Sequence, residues 1–105
     1  MRSKFLVVDY SQKEQTYSLR EKETEESRFG RRIKADDIHS AENLLLPLYA
    51  HLKVNPQVMY TLQYSPTSSQ LCTSLEKKIL EGIIELHNLK VHQNPKWQKR
   101  KFYSN

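Results

Sequence analysis

The chain of 105 residues has one cysteine and two glycines. Cys72 alone cannot close an intramolecular disulfide, so the fold must rest on its core, and a reducing compartment is the expected setting. Gly30 and Gly82 stand far apart, so no glycine-rich loop can turn backbone N–H groups toward a phosphate. Nucleotide-binding enzymes of the P-loop or Rossmann type are thereby excluded. Long apolar runs are missing as well. After Arg2 and Lys4 the apolar stretch FLVV ends at Val8, whereas a secretory segment needs about 7–15 apolar residues and a membrane span about 20. The expectation is a soluble protein of the cytoplasm or nucleus without membrane contact.

Apolar residues make up 37 % of the chain, below the roughly 45–50 % of ordinary globular domains. A chain of this length still buries about 60–70 % of its unfolded surface, enough for one core without metal or disulfide staples. One α+β domain is expected over residues 1–92, followed by a basic, aromatic tail over residues 93–105.

Charge is unevenly spread. The last ten residues hold Lys96, Lys99, Arg100 and Lys101 and no acid, which accounts for four of the net five positive charges. Trp97 follows Lys96, and Phe102 and Tyr103 follow the KRK run. Cations neutralise phosphates and release counterions, and aromatic faces stack on unpaired bases. The same tail suits an acidic protein surface, or packs back on the body through Trp97 and Phe102. About four phosphate contacts alone give weak, salt-sensitive binding. Useful affinity therefore requires the second cation cluster, Arg28, Arg31, Arg32 and Lys34, on the same side of the molecule.

The apolar pattern predicts the order β-β-(β)-α-β-α. Residues 5–10 read as a strand apolar on both faces, which suits an interior place in a sheet. After a polar break of about four residues, residues 16–20 alternate with Tyr17 and Leu19 inward, which predicts a hairpin. The run EKETEE over 21–26 reads as a solvated loop or strand extension, and 29–34 as a short third strand. Asp36 and Asp37 read as helix caps. Ile38, Ala41, Leu45, Leu48, Tyr49 and Leu52 then share one helical side, with Pro47 kinking that helix or opening a second one capped by Asn43. Residues 58–64 give the clearest strand, with Val58, Tyr60, Leu62 and Tyr64 on one face. A helix should follow, capped by Ser65 before Pro66 or by a Thr67–Gln70 capping box, and run to Leu89 or Lys90. Its expected centre line is Leu71, Leu75, Ile79, Leu86 and Leu89, with Leu80 and Ile84 on a neighbouring ridge free to meet a partner. The predicted architecture is a small, mostly antiparallel sheet with two helices packed on one face.

No pattern of residues carries catalysis. His39, His51, His87 and His92 include no pair four apart, and no second cysteine exists, so neither a metal nor another cofactor is expected. Cys72 lies near a helix start, where a thiol pKa falls, but it projects beside the apolar stripe as structural cysteines do. The reading is a non-enzymatic nucleic-acid-binding protein using Arg28, Arg31, Arg32, Lys34, Lys96, Trp97, Lys99, Arg100 and Lys101. The alternative is a protein–protein adaptor or regulatory subunit docking through Leu80, Ile84 and the tail, on an acidic protein surface or as a homodimer. A small hydrolase using a His and an Asp is a third option.

Overall fold

In the computed structural model, residues 2–28, 30–35 and 37–93 are described. Strand β1 (Arg2–Ser11) turns through residues 12–15 into β2 (Thr16–Lys22), pairing Val7 with Arg20 and Tyr10 with Tyr17. No Asn-Gly or Asp-Gly is present at this turn. Gln15 takes the left-handed conformation instead, at φ 55°. A two-residue strand β3 (Arg31–Arg32) adds to the outer edge of β2. Gly30 leads into it because a Cβ there would lie 2.9 Å from the Cβ of Arg20. Strand β4 (Val58–Tyr64) covers the residues expected and pairs with the other side of β1.

The sheet order is β3-β2-β1-β4, so β1 is interior, as its two apolar faces require. Two pairings are antiparallel, and β1–β4 is parallel. The sheet is therefore mixed. A parallel neighbour needs a crossover, and the chain supplies it through a 3-10 turn (Ala41–Leu44) and helix α1 (Leu45–Lys53). Pro47 is the third residue of α1, in the turn whose N–H groups have no helical partner anyway. It thus opens a second element, as one of the two expected outcomes had it, although Asn43 is not its cap. Asp37 does not start a helix, since Ile38 instead bridges to Tyr17 of β2; Asp36 lies outside the described residues. Tyr49 departs from the expected inward set and is 60 % exposed.

After β4 the chain forms two helices where one was expected. Ser65 caps α2 (Pro66–Leu71), accepting from the N–H of Ser68, with Pro66 at its first position. Cys72 is extended, and α3 (Ser74–His92) begins after Thr73. Thr73 and Glu76 bond each other's backbone N–H groups, so the capping box lies at 73–76 and not at 67–70. The buried Ser68 hydroxyl donates to the carbonyl of Val8 at 2.6 Å and ties α2 to the end of β1.

All helices lie on one face of the sheet. Leu6, Val8, Tyr17, Leu19, Val58 and Tyr60 meet Ile38, Leu44, Leu48, Leu52, Cys72, Leu80 and Ile84 in a single core. Alternation sends Phe5, Val7 and Asp9 of β1, Arg20 and Lys22 of β2, and Met59, Thr61 and Gln63 of β4 to the opposite face. The outer edge of β4 is occupied by α3. Asn88 accepts from the N–H of Tyr60 and donates to its carbonyl, at 2.9 and 2.8 Å, while His87 Nε2 bonds the carbonyl of Val58. Side chains of α3 thus satisfy the outer edge of β4 at Val58 and Tyr60.

Candidate functional site

The cations singled out by the sequence divide between described and undescribed residues. Lys96, Trp97, Lys99, Arg100 and Lys101 lie outside the described residues. Arg28, Arg31, Arg32 and Lys34 are all exposed, and none forms an ion pair with another described residue. Arg32 pairs with Arg20 and points to the face that none of the described helices covers. That row continues through Val7 to Gln63, with Phe5 one row further on between Lys22 and Thr61.

The neighbourhood is not uniformly positive. Asp9 lies 3.9 Å from Arg20, and Lys22 is held by the carbonyl of Glu25 in the loop leading to β3. Glu25 and Glu26 are exposed in the same loop. Topology fixes one further relation. The starts of β1, β3 and β4, the end of β2 and the end of α3 share one end of the sheet. The described chain ends there at Gln93, and four strands span about 14 Å at 4.8 Å spacing.

A polar cluster that the sequence reading missed closes the same end of the core. Glu21 accepts from Lys4 Nζ at 3.0 Å and from the Tyr60 hydroxyl at 2.8 Å, and meets His51 Nε2 at 2.5 Å. Lys4 also reaches Glu23 at 3.2 Å. His51 comes from α1, and the others come from three adjacent strands. Burial pushes the Glu21 carboxyl up, but the bonds from His51, Tyr60 and Lys4 outweigh it and hold the carboxyl down at about 2. Burial and the Glu21 carboxylate push the Tyr60 hydroxyl well above its ordinary value. Every polar tip is already committed to a neighbour, so the cluster anchors the sheet to α1. Glu21, the first residue of the EKETEE run, belongs to β2 and is largely enclosed, with 11 % of its side chain exposed.

The helical ridge expected to dock on a partner is inverted. Leu80 and Ile84 are core residues, 1 % and 4 % exposed, and are not available to a partner. The expected centre line faces outward, with Leu71, Leu75, Ile79, Leu86 and Leu89 each between 44 and 67 % exposed. The inward ridge is Leu80, Ile84, His87, Asn88 and Val91. Its two polar members hide it from any count of apolar residues.

Other candidates for chemistry resolve as structure. Cys72 is buried in the core, and burial pushes its thiol up, the opposite of an activated nucleophile. His87 and Asn88 serve the β4 edge. No cluster of metal-ligating side chains occurs among the described residues. No helix among them is long and apolar enough to cross a membrane. The chain matches no family model, no curated protein and no solved structure.

Proposed function

We propose that this chain is a non-enzymatic nucleic-acid-binding protein that engages single-stranded DNA or RNA along its β3 edge and open sheet face. The supporting observation is the exposed cation set Arg28, Arg31, Arg32 and Lys34 beside an uncovered sheet surface that carries Arg20 and Phe5. Such a face offers what unpaired strands require, cations for phosphates and a ring for stacking. The reading also assigns Lys96, Trp97, Lys99, Arg100 and Lys101 to the interface, on their residue types alone. A cytoplasmic or nuclear setting fits the single buried thiol.

Fluorescence anisotropy of the full chain with random single- and double-stranded oligonucleotides, across a salt series, tests the reading. Binding should fall steeply with salt. Replacing Arg31 and Arg32 with Gln, or Lys96, Lys99, Arg100 and Lys101 with Gln, should flatten the slope by about one for each phosphate no longer neutralised. Salt-independent curves, or slopes unmoved by both variants, reject it. A second reading, a docking subunit of a larger assembly, is favoured by the exposed apolar residues on α1 and α3.

A further inference from the structure

We propose that the outward face of α3 is a self-association surface, which packs antiparallel against the same face of a second copy of this chain. Three observations support this pairing, and none of them depends on nucleic-acid binding.

The first is spacing. Leu75, Ile79, Gly82, Leu86 and Leu89 follow one another at steps of four, three, four and three. This is the seam of a heptad repeat, and it runs along the exposed side of a 19-residue helix. An amphipathic surface helix would keep this side polar. Here both sides are apolar, and among the described residues only one has a partner.

The second is Gly82. Glycine inside a helix is unfavourable relative to alanine by about 1 kcal/mol. No positive φ demands it, and a Cβ built there meets nothing within 4 Å. Packing among the described residues therefore gives no reason for a glycine at the middle of the stripe. Close approach by a second helix gives one.

The third is complementarity of size, small residue against large, which a second copy of the same stripe supplies and which selects the direction. With the two helices antiparallel about Ile84, Gly82 receives Leu86 of the partner copy and Ile79 meets Leu89 of the partner copy. Ile83 meets its own counterpart. Glu76 comes opposite Lys90 of the partner copy, twice by symmetry. A parallel pair would bring Glu85 against Lys90 of the partner copy, so charge does not choose the direction; it would also set Gly82 on Gly82, leaving a void, and Lys78 over Ile83, so side-chain size does. The opposite rim of the antiparallel pair brings Glu85 toward its own copy and Lys78 toward His92. These side chains are exposed, so their repulsion is screened by salt. A groove of about 300 Å³ between α1 and α3, lined by Tyr49, Leu52, Pro56, Ile83 and Leu86 with Lys53, His87 and Lys90 among them, adjoins the seam.

Sedimentation velocity of the full chain over a concentration series decides the matter. The wild-type chain should show a concentration-dependent monomer–dimer equilibrium. Leu86→Glu should leave only monomer, with the monomer's thermal unfolding unchanged. Gly82→Ala should raise the monomer's melting temperature yet weaken the dimer about tenfold, because the added methyl crowds the contact. A purely structural glycine would not produce such opposite signs. A monomer at every concentration overturns the proposal, and so does a dimer indifferent to both variants. A monomer that dimerises only when Trp97→Ser and Phe102→Ser are introduced also overturns it, by assigning the face to the chain's own C-terminal residues.

Discussion

The two sides of α3 make an instructive pair. The inward side holds Leu80, Ile84 and Val91 with His87 and Asn88, and the outward side holds Leu75, Ile79, Leu86 and Leu89 with Gly82. The outward side is the more apolar of the two. It is nevertheless the exposed one, because position in the core is decided by fit to the sheet and not by hydropathy alone. Asn88 on the inward side bonds both backbone groups of Tyr60 on the outer strand edge, which a leucine could not do. That choice leaves outside an apolar stripe that no described residue covers, the face proposed above for self-association.

Substitutions on the two sides should therefore diverge, and the largest effect belongs to the core. Leu80→Ala removes a fully buried side chain and should cost about 2–5 kcal/mol by urea denaturation, with transfer and cavity contributions combined. A loss under 1 kcal/mol would mean that this ridge does not form the core. Next comes the polar cluster at the end of the sheet. The Glu21 carboxyl lies at about 2 in the fold and 4.5 as its ordinary value. Its stabilising contribution is complete above the ordinary value and disappears as pH falls toward the folded one. The contribution is about 3 kcal/mol. Denaturation midpoints measured through that acid range should drop for the wild-type chain and stay nearly level for Glu21→Gln.

Asn88→Ala should cost about 1–3 kcal/mol by leaving the Tyr60 backbone groups of β4 with no protein partner. Amide hydrogen exchange at Tyr60 should accelerate in that variant, and protection equal to wild type would refute the edge contact. The smallest effect is on the outward side. Gly82→Ala should stabilise the monomer by up to about 1 kcal/mol, because helix propensity improves and the added methyl meets open space. A net destabilisation of the monomer would place an unseen neighbour at that position.

Much of the sheet was legible from local pattern. The strand over 58–64 and the inward Tyr17 and Leu19 follow from period-two alternation, and β1 is interior because both of its faces are apolar. The parallel β1–β4 pairing was not legible, because nothing in either strand specifies a neighbour more than fifty residues away. The break between α2 and α3 was missed because Thr67–Gln70 and Thr73–Glu76 offer the same capping pattern six residues apart, and only the second is used. The inversion of α3 has a related cause. His87 and Asn88 lie on the core side and meet the β4 backbone, so a count of apolar residues points the wrong way. The cluster of Lys4, Glu21, His51 and Tyr60 was hidden by distance, since its members lie 17 to 39 residues from Glu21 along the chain.

The most direct measurement sets Leu80→Glu beside Leu86→Glu and follows the unfolding of each by circular dichroism. A carboxylate at position 80 enters the core and should abolish cooperative unfolding, whereas at position 86 it meets water and should leave the monomer's transition where it is. A stable Leu80→Glu together with an unfolded Leu86→Glu would contradict the assignment of core and outward faces on which the account rests.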